Sequence, residues 1–237
     1  MIVLRFQRRL LCFFVCCCCS LHVAGASYAE RAEVRAFIAE MVARHRFQTP
    51  ELEALFSGVE RQQGIIDTIS KPVERTLEWK DYRKLLITPE RIEGGRQFLA
   101  ANAALLERVS EKWGVPPAVI VAILGVETRY GQVQGRHVAL EALSTLAFDY
   151  PPRARFFRGE LEQLLLLGRE QGLDLSTLRS SYAGALGYGQ FMPSSYRHFA
   201  VDFDDDHRAD LIGSVADAVG SVASYLARHG WEKDAAI

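Results

Sequence analysis

Cysteine is absent from the sequence after Cys19, and all five cysteines lie between Cys12 and that point. A domain built from the remaining residues therefore has no disulfide, no thiol nucleophile and no thiolate metal site. Charge clusters of one sign are also missing: 28 Lys and Arg balance 29 Asp and Glu, for a net charge of -1, without a basic block. This balance excludes nucleic acid as an expected partner and argues against strong attraction to an anionic membrane surface.

The first residues differ in composition from the rest of the chain. Three arginines precede an apolar run from Leu10 to Val15, and the small residues Ala24, Gly25 and Ala26 follow it. The run is too short for a membrane span, so we predict a signal peptide over residues 1–26 and export to the periplasm. Two alternatives stay open: an uncleaved amphiphilic anchor, and lipidation of one cysteine, which would give an outer-membrane lipoprotein.

Strand signals, internal repeats and low-complexity segments are nearly absent after the leader, and helical periodicity dominates. Apolar residues recur three and four apart over 29–44, and Thr49-Pro50 and Thr88-Pro89 are helix-start signals. The second signal opens a long segment that ends at Trp113-Gly114, and further helices are expected over 138–147, 154–171 and 214–229. The length of 237 residues fits one core. We predict a single, mainly α domain over residues 27–237.

A carboxylate ends the most apolar predicted helix. Pro116-Pro117 begins it, its residues are apolar on all sides, and Glu127 follows within the segment GVETRYG over 125–131. Burial there would raise the pKa of the carboxyl and keep its proton available for a leaving oxygen, as a general acid requires. The alternative from these residues alone is an ion pair between Glu127 and Arg129 at a helix end.

Glycines, aromatics and hydroxyls alternate over residues 180–196, SSYAGALGYGQFMPSSY. Glycine permits a close backbone approach, tyrosine offers ring faces and hydroxyls to sugars, and Gln190 can both donate and accept hydrogen bonds. The segment is typical of a carbohydrate groove and lacks the spacing of a phosphate loop. A tight helix contact, with Pro193 opening the next helix, is the structural alternative.

An acidic segment follows at 202–208, DFDDDHR. Asp202, Asp204 and Asp206 match the first three ligand positions of an EF-hand-like loop, and Arg208 is placed to offer a backbone carbonyl to calcium. His207 stands where such loops usually have glycine, and no Glu closes the set, although Asp217 could do so in a longer loop. A solvated acidic loop is the alternative.

Taken together, these segments resemble the membrane-bound lytic murein transglycosylase B family. The matching stretches, in chain order, are VAILGVET at 121–128, FDYP at 148–151, FRGEL at 157–161, YAGALGYGQFMPSSY at 182–196, and GSVA to HGW at 220–231. The resemblance implies a lysozyme-like α-helical fold and cleavage of the bond between N-acetylmuramic acid and N-acetylglucosamine in peptidoglycan strands, leaving a 1,6-anhydromuramoyl end.

The resemblance also implies roles for single residues. Glu127 would be the one acid/base, and no organic cofactor is expected. Four residues match positions that line the glycan groove: Ser181, Gln190, Tyr225 and Tyr82. Arg153 matches one member of a basic pair, but its neighbour here is Pro152. The calcium ligands would be Asp202, Asp204, Asp206, the Arg208 carbonyl and Asp217, with one extra residue before the last.

One departure from the family keeps other functions open. The family continues with further helices that complete the groove, whereas this sequence ends at Ile237. An open groove would let water compete for the anomeric carbon, as in a lysozyme-type hydrolase. A truncated, inactive peptidoglycan-binding protein is another candidate, and a purely structural calcium module is a further one. Proteins of cell-wall synthesis or hydrolysis are conceivable partners.

Overall fold

The computed structural model describes residues 27–71 and 78–233. The signal peptide predicted over 1–26 lies outside the described residues, and so does every cysteine. The domain boundary before Ser27 therefore stays a prediction.

The described chain is mainly helical, in agreement with the predicted fold class. The helices are α1 Ala32–His45, α2 Thr49–Ser57, α3 Gln63–Ser70, α4 Trp79–Leu86, α5 Pro89–Ala101, α6 Ala103–Trp113, α7 Pro117–Thr128, α8 Ala139–Asp149, α9 Ala154–Gln171, α10 Pro193–Phe199 and α11 Val215–Arg228. Two short strands, β1 His137–Val138 and β2 Arg179–Ser180, pair antiparallel with His137 opposite Ser180.

Local sequence signals set most helix ends. The Thr88 side chain accepts a hydrogen bond from the Arg91 N–H at the start of α5, and Gly114 ends α6 with a left-handed φ of 70°. The prediction of one long segment from Thr88 to Trp113 is wrong at Asn102. There the side-chain amide donates to the Phe98 carbonyl oxygen at 2.8 Å, and this local bond accompanies the break between α5 and α6.

The centre of the core is α8 rather than α7. Residues 139–140 and 142–147 of α8 are buried, because α9 packs against this helix and α3 also contacts it. The all-apolar sequence of α7 predicts that this helix is central to the core, and the structure differs: Ala118 and Ala122 are exposed, and Val126 is 43% exposed. An all-apolar sequence gave α7 no face by which its orientation could be predicted.

Helix α7 contacts α5, α6 and α11, and its last turn is exposed at Val126 and Glu127. Among residues 27–71 and 78–233, no single helix is long and apolar enough to cross a bilayer. By length and composition alone, α6 and α7 together meet that criterion, with a bend of 112° between them.

Candidate active site

Glu127 lies in the last turn of α7, and a sharp reversal of the chain follows it. Arg129, Tyr130 and Gly131 all have left-handed backbones, with φ of 51°, 63° and 87°. The Tyr130 N–H closes the turn on the Leu124 carbonyl oxygen at 3.0 Å. Each non-glycine residue in this conformation costs about 1–2 kcal/mol, so contacts outside the turn must hold it in place.

A groove of about 380 Å³ opens beside Glu127. Ile123 of α7 borders it on one side, Gln190 and its neighbours in the glycine-rich loop (residues 180–192) on a second, and Tyr225 of α11 on a third. Gln190 has a left-handed φ of 50°, and its Nε2 donates to the carbonyl oxygens of Gly187 at 3.0 Å and Gln134 at 3.3 Å. The structure thus brings together Glu127, Gln190 and Tyr225, three of the residues that the family resemblance implies for the groove.

The environment of Glu127 suits a proton donor. The residue is accessible to solvent from the groove, yet partial burial of its carboxyl raises the pKa above the ordinary value, and burial is the one cause. The two observations are compatible, because an open groove can desolvate one side of a carboxyl while leaving the other wet. Within the described residues, no ion pair joins Glu127 to Arg129. The alternative interpretation of the sequence, in which these two residues form a salt bridge, is therefore wrong.

Thr128 joins the end of α7 to the glycine-rich loop. Its side chain is 1% exposed, and its hydroxyl donates to the Tyr188 carbonyl oxygen at 2.8 Å and accepts from the Gly131 N–H at 2.9 Å. The first bond fixes the loop relative to α7, and the second satisfies a donor within the left-handed turn. One buried hydroxyl therefore links α7, which carries Glu127, to the opposite side of the groove.

Tyr225 stands within an aromatic cluster. Phe191 and Phe199 contact its ring edge-on, with centroids 5.6 and 4.9 Å away, and the His229 ring stacks on it at 3.9 Å. His229 is held in turn, since its Nδ1 lies 2.7 Å from the Tyr225 carbonyl oxygen. The Tyr225 ring is thus fixed from several sides and presents a rigid surface to the groove.

The acidic loop forms a compact cluster of oxygen ligands. Each of Asp202, Asp204, Asp206 and Asp217 offers a carboxylate oxygen, and these atoms lie within 4.8 Å of one another. Asp217 is fully buried and accepts from the Phe203 and Asp210 N–H groups, both at 2.7 Å.

The backbone of this loop also has the expected form. His207 has a left-handed φ of 72°, at the position where calcium loops usually have glycine. Four clustered carboxylates repel one another, and a hard divalent cation would relieve that repulsion. The residues present therefore fit calcium.

Comparison with known proteins decides the family. The protein family described as Transglycosylase SLT domain matches residues 29–237. The chain belongs to this family. It is 41% identical over 218 residues to the membrane-bound lytic murein transglycosylase B of Escherichia coli K12, a match that covers 88% of the chain and 60% of that protein. The chain thus spans less than two thirds of the length of this curated relative.

Solved structures of lytic transglycosylases share the fold. The catenated lytic transglycosylase SltB1 of Pseudomonas aeruginosa is 47% identical, with a TM-score of 0.85 over 89% of this chain and 69% of that one. An Escherichia coli lytic transglycosylase in complex with calcium is 42% identical, with a TM-score of 0.83 over 89% of this chain and 67% of that one. These similarities confirm the lysozyme-like, mainly α fold predicted for this member of the SLT family.

Two predicted groove residues lie apart from Glu127. Ser181 belongs to the glycine-rich loop, but its hydroxyl accepts from the N–H groups of Ala183 at 3.3 Å and Ala185 at 3.0 Å, so it shapes a turn. Tyr82 is on α4, 6.3 Å from the ring of Trp79. Neither residue borders the groove around Glu127.

Arg153 lies in a separate, larger cavity of about 640 Å³. Its guanidinium covers the Phe156 ring at 4.4 Å. Glu160, which also lines this cavity, is 6% exposed and accepts from the Ser194 N–H at 3.0 Å and hydroxyl at 2.7 Å. The next residue, Ser195, borders the groove of Glu127, so consecutive residues of α10 line the two cavities.

Several residues of this candidate site were not predicted from the sequence. Met192 and Ser195 border the groove, and Thr128 holds the glycine-rich loop to the end of α7. A signal for Thr128 was present, because a hydroxyl at the end of an otherwise apolar helix has to find a partner when it is buried. Nothing in the local sequence identifies that partner as the Tyr188 carbonyl.

Proposed function

We propose that this chain is a peptidoglycan lytic transglycosylase. It would cleave the β-1,4 bond between N-acetylmuramic acid and N-acetylglucosamine and form a 1,6-anhydromuramoyl product, with Glu127 as the single acid/base. The observation that carries the proposal is the solvent-accessible Glu127 carboxyl at the end of α7, whose pKa burial raises, facing Gln190 and Tyr225 across the groove. The family and its murein-cleaving relative support the same reaction.

A lone carboxylate is sufficient for this chemistry. In its protonated form, Glu127 donates a proton to the glycosidic oxygen as the bond to the anomeric carbon breaks, while the substrate's N-acetyl carbonyl assists at that carbon. The Glu127 carboxylate then takes the proton of the muramoyl 6-hydroxyl, whose oxygen forms the new bond in place of water. Glycosidases that use a second carboxylate place it about 5–9.5 Å from the first. Within the described residues, Glu127 is the one carboxylate that borders the groove.

The groove offers sugar-binding groups on either side of the acid. The fixed Tyr225 ring would support a sugar face. The Gln190 amide nitrogen donates to the Gly187 and Gln134 carbonyl oxygens, so the Gln190 side-chain oxygen would accept from a sugar hydroxyl. We assign Ser181 an indirect role, as the residue that shapes the loop. Tyr82 and Arg153 would contact more distant parts of the glycan strand or its peptides.

Calcium is proposed as a structural ion. Asp202, Asp204, Asp206 and Asp217, with the Arg208 carbonyl, would hold it, because they supply the hard oxygen ligands that calcium prefers. A related lytic transglycosylase of Escherichia coli has been solved in complex with calcium. The ion would neutralise the clustered carboxylates and brace the loop. The reaction proposed above needs no organic cofactor.

The location and partners follow from the substrate. Peptidoglycan lies outside the cytoplasmic membrane, so the enzyme would act in the periplasm after export by the signal peptide predicted over 1–26. A lipidated cysteine in that segment would attach it to the outer membrane, and the relative's name as membrane-bound is compatible with such an anchor. Its principal partner would be the glycan strand, with proteins of cell-wall synthesis or hydrolysis as further candidates.

Digestion of purified murein tests the proposal. The parent protein is compared with Glu127→Gln and with the matched control Glu141→Gln, which removes another carboxylate of raised pKa, on α8. Mass spectrometry should find anhydromuropeptides with the parent and the control, and none with Glu127→Gln. Products heavier by one water would identify a hydrolase instead. Binding to insoluble murein without any soluble product would identify a binding protein and refute the enzymatic reaction.

A further inference from the structure

The turn that follows Glu127 needs an external restraint. Three consecutive left-handed residues, 129–131, directly follow the last turn of α7. Only one of the three is glycine, so the other two are strained. A strained turn at a helix end would relax by unwinding the last turn of the helix, and Glu127 is in that turn. The contacts of residues 129–131 therefore decide where the carboxylate lies.

Tyr130 fills a slot made of three glycines. Gly94 and Gly95 come from α5 and Gly125 from α7, and each lies against the Tyr130 ring. A Cβ added to any of them would lie within 3 Å of that ring: 2.9 Å from Cε2 for Gly94, and 2.6 and 2.5 Å from the hydroxyl oxygen for Gly95 and Gly125. Such distances are below van der Waals contact. The absence of three side chains creates the space that this ring occupies.

The ring is also held at its far end and on its face. The Tyr130 hydroxyl donates to the Arg91 carbonyl oxygen at 2.6 Å, and Phe98 of α5 stacks on the ring with centroids 5.6 Å apart. On the main chain, the Tyr130 N–H closes the turn on Leu124 at 3.0 Å. One residue therefore ties the strained turn both to its own helix and to α5.

We propose that Tyr130 is a positioning residue, which holds the last turn of α7, and with it the Glu127 carboxyl, in the geometry needed for proton transfer. This inference rests on the proposed function in so far as activity is its readout. Tyr130 does not border the groove of Glu127, so it would act through the backbone and not on the substrate. The rigid α5 helix supplies the fixed point against which the turn is held.

Two substitutions separate the ring from the hydroxyl. Tyr130→Leu removes the ring from the slot, and we expect kcat on a soluble muropeptide tetrasaccharide to fall roughly 10- to 100-fold, since about 1 Å of misplacement can cost that much. KM should change by less than about threefold, because the groove surface is intact. Tyr130→Phe keeps the ring and should retain most of kcat.

Phe98→Leu is the matched control for loss of packing. It removes the aromatic contact between α5 and Tyr130 but leaves the ring in its slot. Positioning predicts a lower melting temperature for this variant with nearly unchanged kcat. If Phe98→Leu and Tyr130→Leu lose kcat in proportion to their loss of stability, Tyr130 is only a packing residue and the proposal is overturned.

A rescue experiment tests the slot itself, even if Tyr130→Leu fails to fold. A Cβ at Gly95 would lie 2.6 Å from the Tyr130 hydroxyl oxygen but 3.3 Å from Cζ. Gly95→Ala should therefore lower kcat, and adding Tyr130→Phe should restore it. At Gly125, the added Cβ would lie 2.7 Å from Cζ, so Tyr130→Phe should not rescue Gly125→Ala. Rescue of both or of neither would overturn the proposal.

A readout without substrate separates this inference from the proposed function. Carbon-13 NMR of labelled glutamate carboxyls follows the Glu127 titration, assigned by comparison with Glu127→Gln. If Tyr130 positions the helix end, Tyr130→Leu lowers the pKa of Glu127 towards its ordinary value, whereas Tyr130→Phe and Phe98→Leu leave it raised. An inactive parent protein with this NMR pattern would refute the proposed reaction alone. An active parent whose Tyr130→Leu variant keeps both kcat and titration would refute positioning alone.

Discussion

Replacing Thr128 by valine removes a hydroxyl and leaves the shape of the side chain almost unchanged. Besides a longer contact at 3.3 Å with the Leu124 carbonyl oxygen of its own helix, the hydroxyl makes two hydrogen bonds at a site that is 1% exposed: it donates to the Tyr188 carbonyl oxygen at 2.8 Å and accepts from the Gly131 N–H at 2.9 Å. Valine can make neither bond. The variant therefore leaves one acceptor and one donor without this partner, at the junction between α7 and the glycine-rich loop.

The expected loss of stability follows from the two polar groups that lose this partner. Leaving a buried polar group unsatisfied costs about 1–3 kcal/mol, and the two here are partly buried, so we expect the free energy of unfolding to fall by about 3 kcal/mol. For a domain of this size, 1 kcal/mol lowers the Tm by roughly 2–4 °C, which gives a decrease of roughly 6–12 °C. Activity should fall further than stability, because the loop that carries Gln190 loses its link to the helix that carries Glu127.

Thr128→Ser is the matched control, since it keeps the hydroxyl and removes one methyl group. It should cost about 1 kcal/mol, from the lost apolar contact. Thermal unfolding and murein digestion are measured for both variants below their melting temperatures. If Thr128→Val is as stable as Thr128→Ser, or as active, then the two hydrogen bonds do not hold the groove together and the reasoning is wrong.

Three further predictions follow. Glu127→Gln should melt higher than the parent at neutral pH: because burial raises the pKa of the carboxyl, its ionisation opposes folding, and the penalty grows as pH rises from 4.5 through the folded-state pKa. If the difference in Tm between Glu127→Gln and the parent is the same at about pH 4 and about pH 8, this prediction is wrong. Calcium at about 100 times its Kd should stabilise by about 2.7 kcal/mol and raise the Tm by roughly 5–11 °C; a melting curve unchanged by chelator would refute the site. Gly187→Ala, whose Cβ would lie 2.2 Å from the Leu211 carbonyl oxygen, should cost about 2–4 kcal/mol in urea unfolding. Gly172→Ala, with a similar φ of 65° but open space, should cost only about 1 kcal/mol.

Helix ends were the features best predicted from sequence. Helix α5 starts at Thr88-Pro89 and helix α6 ends at Gly114, as predicted. Both signals depend on residues within one turn of the boundary. The predicted helix over 154–171 is confirmed at both ends. Such signals are local, because capping groups bind backbone atoms three or four residues away.

Contacts between distant segments were not predictable in the same way. The Tyr130 slot joins residues more than 30 positions apart, and the bond from Thr128 to the Tyr188 carbonyl spans 60. Each glycine alone also fits a turn or a helix contact, so the sequence could not indicate which side chain occupies the space. Glu127, Gln190 and Tyr225 were placed together by resemblance to a family, and their local patterns alone left a salt bridge and a packing contact open.

The link between the acidic loop and the groove is short enough to give the proposed calcium ion an effect on catalysis. Asp217 accepts from the Asp210 N–H at 2.7 Å, and the neighbouring Leu211 carbonyl accepts from the Tyr188 N–H at 3.0 Å. The Tyr188 carbonyl in turn accepts from the Thr128 hydroxyl, next to Glu127. An ion that fixes Asp217 therefore fixes, through three hydrogen bonds, the main chain opposite the acid. Loss of the ion should therefore loosen the main chain opposite the acid, because the hydrogen bonds that hold it run through Asp210 and Leu211.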